Sequence, residues 1–153
     1  MRIVVQRVNR ASVEVDGAIA GKIGKGLLIY VGIEKGDTET EMAFMAEKVL
    51  NLRIFPDEEY KMNLSIKEVN GALLSISQFT LASYIKKGRR PDFTNAEDPG
   101  KAETLYEKFN EYLAKEIHVE KGVFGAMMAV ESVNSGPVTF IIEKKYNREQ
   151  VQL

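Results

Sequence analysis

A chain of 153 residues with 44% hydrophobic content is long enough for one domain with a real core and too short for two ordinary ones, so residues 1–153 are expected to form a single domain. The absence of cysteine excludes disulfides, thiolate zinc sites and cysteine nucleophiles, and one histidine, His118, leaves almost nothing for a histidine metal site; neither metal nor cofactor is expected. With 21 Lys and Arg against 22 Asp and Glu, the net charge of −1 supplies no global positive field for nucleic acid, and any such contact has to be local.

In chain order, "IVVQRV" and "SVEVDGAIAGKI" read as strands, with Asp16-Gly17 giving a two-residue hairpin signal between alternating runs. After the Gly24-Lys25-Gly26 turn, "LLIYVGI" is a continuous apolar run, the pattern of a central strand buried on both faces. Thr38 followed by Glu41 makes a capping box, and Met42, Met45, Ala46, Val49 and Leu52 recur at helical spacing behind it. "EVNGALLSISQFTL" holds a second hairpin signal at Asn70-Gly71 and a sheet segment expected to end near Thr80. Asp98 as N-cap and Pro99 at the first helical position open a second helix with an apolar stripe of Ala102, Leu105, Phe109, Leu113 and Ile117. "GAMMAVESVNSGPVTFII" reads as two strands broken at Asn134-Ser135-Gly136-Pro137, and a polar tail follows from about residue 146. Repeats and low-complexity tracts are absent, so the pattern predicts an α+β domain, strand-rich and mostly antiparallel, with two amphipathic helices.

Familiar catalytic machinery is missing. The sequence has no glycine-rich phosphate loop, no G-x-S-x-G elbow and no paired histidines. His118 sits at the expected end of the second helix, where the helix dipole explains it. No apolar run approaches the roughly 18 residues that cross a bilayer, and "MRIVVQRV" lacks the order of a signal peptide; a cytoplasmic location is expected. Two local sequences stand out, "SQFTL" (Ser77 to Leu81) and "NSGPVT" (Asn134 to Thr139), together with a basic segment, "KKGRRPDF", carrying Lys86, Lys87, Arg89 and Arg90 around a glycine. The ordinary readings are a strand end, a Gly-Pro turn and a solvated loop.

Taken together, "MRIVVQRVNRASVEVDG", "GLLIYVGIEKGD", "KVLNLRIFPD", "LLSISQFTL", "KKGRRPDF" and "GVFGAMMAVESVNSGPVTF" make the chain similar to the bacterial-type D-aminoacyl-tRNA deacylases over nearly its whole length. It departs from the family's usual Asn-Asp-Gly-Pro-Val-Thr at Ser135, and from the usual polar residue at Met127. The resemblance implies a barrel-like sheet and a homodimer with a cross-subunit active site. In it a cis Gly136-Pro137 peptide of one copy enters the site of the other and excludes L-aminoacyl groups by clash, a wall of main chain with no Cβ at glycine and no donor at proline. The implied reaction is hydrolysis of the ester of D-aminoacyl-tRNA, with the glycyl ester of tRNA(Ala) as a further substrate.

By the same resemblance, Ser77, Gln78, Phe79 and Thr80 are the catalytic candidates. Backbone N–H groups around Gln78, Phe79 and Thr80 would hold the carbonyl oxygen, and Ser77 and Gln78 would give polar support. Thr80 is also a nucleophile by residue type, though no base is expected beside it. Arg7 would lock the Gly136-Pro137 loop, with Val138 and Thr139 completing the substrate-binding motif. Phe124 and Met128 would form a pocket for the terminal adenine, and Lys86, Lys87, Arg89 and Arg90 would meet acceptor-stem phosphate. Two other readings stay open: a non-catalytic nucleic-acid or nucleotide-binding domain of the same fold, and a serine- or threonine-type esterase of small molecules.

Overall fold

The computed structural model describes residues 1–85 and 88–144. Lys86 and Lys87 of the basic segment, and the expected polar tail from about residue 146, lie outside the described residues. The opening sequence forms β1 (Arg2–Val15), which turns at Asp16-Gly17, both at positive φ, into β2 (Ala18–Ile23) and then β3 (Gly26–Gly32). The two strands expected before the hairpin are therefore one. β2 and β3 lie end to end along one edge of β1: Ala11 faces Ile23, Val8 faces Gly26 and Arg2 faces Gly32.

β6 (Ala72–Ser77) adds to the far side of β3 in parallel, and β7 (Val119–Lys121) adds in parallel to β6. β8 (Ala129–Glu143) runs antiparallel along the opposite edge of β1. A separate small ladder joins β4 (Phe55–Pro56) to β5 (Met62–Leu64). The main sheet curls until β2 meets β7, so closely that a Cβ placed on Gly21 would lie 3.0 Å from the Lys121 carbonyl oxygen. The result is a barrel-like mixed sheet with two helices, the expected α+β class.

Two further expectations about strand connections fail here. Asn70-Gly71 does not close a hairpin, because β5 pairs with β4 while β6 pairs with β3. Instead Ser65 to Gly71 coils into a compact turn: the Glu68 carboxylate accepts the Ser65 N–H at 2.7 Å, and the Gly71 N–H reaches the Ile66 carbonyl at 3.0 Å. Asn70 keeps positive φ, so the local signal was real but reported a different turn. Likewise Asn134–Pro137 does not divide two strands. β8 runs through, and its register on β1 shifts twice around that point.

The core follows from the alternation. On one face of the sheet Ile3, Val5, Leu27, Ile29 and Val31 pack under α1 (Glu39–Asn51) and α2 (Pro99–Ala114). Inside the curl Val8, Val13, Ile23, Leu28, Leu74 and Ile76 form a second cluster. β3 supplies residues to both, which is why it carries no polar alternation; each fully buried Leu or Ile there contributes roughly 1.5–3 kcal/mol. In α1 the capping box forms as expected, the Glu41 carboxylate accepting the Thr38 N–H at 2.8 Å. In α2 Pro99 starts the helix, but Asp98 makes no side-chain cap, and Ile117 of the expected stripe packs beyond the helix end. His118 also lies past that end, just before β7, with its Nε2 3.0 Å from Glu120 Oε1. The α-ammonium of Met1 is buried against Glu34 (2.9 Å), Asp37 (2.8 Å) and the Lys144 carbonyl (3.0 Å), which ties β8 to the loop before α1. Burial pushes the Asp37 carboxyl above its ordinary value despite that ammonium. Among the described residues no helix is long and apolar enough to cross a membrane.

Candidate active site

β6 leaves its ladder at Ser77. The last bond to β3 is donated by the Gln78 N–H to the Val31 carbonyl at 2.8 Å, after which Phe79–Ala82 wind into a single 3-10 turn. A helix start leaves its first N–H groups without intrahelical acceptors. Among the described residues, those of Phe79 and Thr80 have no backbone partner, whereas the Gln78 N–H, expected to join them, is already committed. The turn seats closely on β3 because Gly32 has no side chain: a Cβ there would lie 2.8 Å from that of Leu81. From the other side Arg2 donates to the Leu81 carbonyl at 2.8 Å. Gln78 Nε2 donates to the Thr80 hydroxyl oxygen at 2.6 Å, and among the described residues no histidine, lysine or carboxylate is bonded to that hydroxyl.

Ser77, Gln78 and Phe79 form one side of a cavity of about 710 Å³. Its other sides come from Phe93 to Pro99, from Ala102 and Tyr106 of α2, and from the segment Phe124 to Met128. Phe79 and Phe93 meet with ring centroids 5.2 Å apart, and Tyr106 and Phe124 with centroids 5.9 Å apart, so two aromatic pairs face the same space. Burial pushes the Tyr106 phenol above its ordinary value, and its hydroxyl is spent on the Ser75 carbonyl at 2.9 Å. Lys35, Glu97 and Asp98 make a polar rim. A hydrogen bond from Lys101 holds the Glu97 carboxyl below its ordinary value. Met127 stands at the mouth, 91% exposed. Among the described residues no group of three or more His, Asp or Glu is arranged to hold a metal.

Phe93 and Tyr106 escaped the sequence reading. Tyr106 stands beside Leu105 in the apolar stripe, and a buried tyrosine needs a partner for its hydroxyl; that was the available signal. Phe93 ends the basic segment, which is closed by paired backbone bonds of 2.9 Å between Tyr84 and Asp92. Arg89 and Arg90 are exposed on it, and neither lines the cavity.

The second motif lies elsewhere. Gly136 and Pro137 are joined by a cis peptide and are exposed, and none of residues 134 to 139 lines this chain's own cavity. Arg7 reaches them from β1: its Nε donates to the Ser135 carbonyl at 3.1 Å and another guanidinium nitrogen donates to the Ile54 carbonyl at 2.7 Å. Val138 is buried in the main core. Thr139 accepts from Asn134 Nδ2 at 3.0 Å and from Gln6 Nε2 at 3.3 Å. The structure thus sorts the expected site residues into two clusters, Ser77 to Phe79 with Phe124 and Met128 around the cavity, Thr80 adjoining them outside its lining, and Arg7 with Gly136 to Thr139.

Residues 4–143 match the model of the D-Tyr-tRNA(Tyr) deacylase family. The chain belongs to that family. It is 56% identical over 146 residues to the D-aminoacyl-tRNA deacylase of Bacillus velezensis, covering 95% of this chain and 99% of the relative. It is 55% identical over 145 residues to that of Persephonella marina, covering 95% and 99%. Among solved structures, the c-Myc DNA unwinding element binding protein superposes with a TM-score of 0.90 at 41% identity, covering 95% of this chain and all, 100%, of that one. A probable eukaryotic D-amino acid tRNA deacylase shares the fold alone, with a TM-score of 0.78 at 17% identity over 92% of this chain and 97% of that one. Family membership accounts for both clusters occurring in one chain, since each lies within the matched residues.

Proposed function

We propose that this protein hydrolyses the ester bond of D-aminoacyl-tRNA in the cytoplasm, releasing the free D-amino acid and tRNA. The observation that carries this reading is the cavity itself: an aromatic-walled space of about 710 Å³ lined along one edge by Ser77 to Phe79, where the N–H of Phe79 and that of the adjoining Thr80 have no backbone partner among the described residues. Phe124, which lines the cavity together with Met128, offers the terminal adenine a stacking surface. The ester carbonyl then lies at the Ser77–Thr80 edge. Water adds to the carbonyl carbon, the N–H groups of Phe79 and Thr80 stabilise the oxyanion, and the ribose oxygen leaves with a proton. The ester is already activated, so positioning does most of the work. Thr80 acts through its backbone; its hydroxyl, with no base bonded to it among the described residues, is a poor nucleophile.

Discrimination comes from a second copy. Gly136 and Pro137 lie outside their own chain's cavity, on a β8 whose neighbours Phe140 and Ile141 are 40% and 66% exposed. A homodimer that pairs these faces brings the loop of one copy to the cavity of the other. There an L-side chain meets main chain while a D-side chain points away, and each further 1.4 kcal/mol of clash is worth about tenfold. Arg89 and Arg90 meet acceptor-stem phosphate, which makes tRNA binding weaken with salt.

The test is hydrolysis of D-Tyr-tRNA beside L-Tyr-tRNA with chelator-treated enzyme. Loss of the D-ester alone supports the proposal. Loss of neither, with tRNA still bound, favours the binding-domain reading that the name of the c-Myc DNA unwinding element binding protein suggests for a relative of this fold. Equal loss of both esters would make the protein an unselective esterase.

A further inference from the structure

Between the pairs Val8–Asn134 and Gln6–Thr139, β1 has one residue, Arg7, and β8 has four, Ser135 to Val138. A ladder cannot span that mismatch, so something else has to close the base of the loop. Asn134 does so with both ends of its amide. Its Oδ1 accepts the Val138 N–H at 2.8 Å and its Nδ2 donates to the Thr139 hydroxyl oxygen at 3.0 Å. The amide orientation is fixed by this, because only the oxygen can face an N–H. The Thr139 oxygen already accepts from Gln6, so the clamp is tied back to β1.

We propose that Asn134 is a positioning residue for stereochemical discrimination: its amide clamps the neck of the Ser135–Val138 loop and thereby fixes where Gly136 and Pro137 stand against a substrate. The proposal rests on the functional reading above. Arg7 holds the loop only at Ser135, on the entering side, and burial of Val138 holds the leaving side through its side chain. Among the described residues, Asn134 alone connects the two sides by side-chain hydrogen bonds. Without it the four-residue excursion widens and the tips of Gly136 and Pro137 become mobile, which relaxes the clash with an L-group more than it weakens the D-ester site. An Asp at this position keeps the clamp, since its carboxylate accepts both the Val138 N–H and the Thr139 hydroxyl.

The experiment compares the full-length protein with Asn134→Ala and Asn134→Asp, reading kcat/KM for L-Tyr-tRNA and D-Tyr-tRNA, thermal melting, and amide hydrogen exchange at Val138. In Asn134→Ala the L/D ratio rises by about tenfold, the scale of two lost neutral hydrogen bonds, and Val138 exchange accelerates; Asn134→Asp stays within about twofold of the unsubstituted chain. A folded Asn134→Ala that keeps both its L/D ratio and its Val138 protection overturns the proposal. So does a parallel fall in both rates with melting, which would make Asn134 merely structural. If the unsubstituted chain hydrolyses neither ester, the functional reading has failed, and the neck clamp is still decided by Val138 exchange in the two variants.

Discussion

The Ser77–Thr80 edge and the Asn134–Thr139 loop both mark places where a strand abandons its ladder, yet they are held by different kinds of bond. The first ends cleanly: main chain to main chain up to Gln78, then a 3-10 turn seated on Gly32. The second stays inside a strand and is held by side chains, those of Arg7 and Asn134. A site built from main chain tolerates changes of side chain; a loop held by side chains does not. The two regions should therefore respond oppositely to conservative substitution.

Among substitutions that leave every backbone N–H in place, the largest effect is expected at Gly136. Its φ is +130°, and an added Cβ would lie 2.8 Å from Val138 Cγ2 and 3.1 Å from an Arg7 guanidinium nitrogen. Val138 is packed into the core and cannot retreat. Gly136→Ala should cost about 2 kcal/mol in loop geometry, and so lower D-ester kcat/KM by roughly 30-fold while far-ultraviolet circular dichroism stays native. Unchanged rates with both the D- and the L-ester in this variant would mean that the loop has no part in the site.

Arg7→Lys comes next. One ammonium cannot serve both the Ser135 and the Ile54 carbonyls as a planar fork does. A loss of about 1 kcal/mol in unfolding free energy, and of roughly fivefold in D-ester kcat/KM, is expected from denaturant melts and steady-state rates. An unchanged variant would show that Asn134 and Val138 suffice, and the contrast between the regions would narrow to one side chain.

What the sequence disclosed follows the same division. β3, the capping box at Thr38 and the start of α2 at Pro99 were legible because each is written in a local pattern: an unbroken apolar run, an i, i+3 pair, a proline at a helix start. Asn70-Gly71 misled because two residues specify a turn but not which strands flank it, and the parallel pairing of β6 with β3 depends on residues far apart in sequence. The motif at Ser77 to Thr80 was visible, but the commitment of the Gln78 N–H to Val31 was not, since it needs the register of two strands. Phe93 and Phe124 line one cavity only after the chain between them has formed α2 and β7, so no local spacing connects them.

Among those same substitutions, the smallest effect is expected from removing the Thr80 hydroxyl. Its hydroxyl accepts from Gln78 and has no base beside it among the described residues, while its N–H is the group assigned to the oxyanion. Thr80→Ala removes the hydroxyl and keeps the N–H, so D-ester kcat/KM should stay within about twofold. Thr80→Pro removes the N–H itself at the second residue of the 3-10 turn, a conformation whose usual φ lies in the range that proline fixes. That variant should lose about 10²-fold in kcat, the usual consequence of deleting one oxyanion donor. Rates for the pair decide the point: loss in Thr80→Ala as deep as in Thr80→Pro would make the hydroxyl the reacting group, and the first region would then depend on a side chain as the second does.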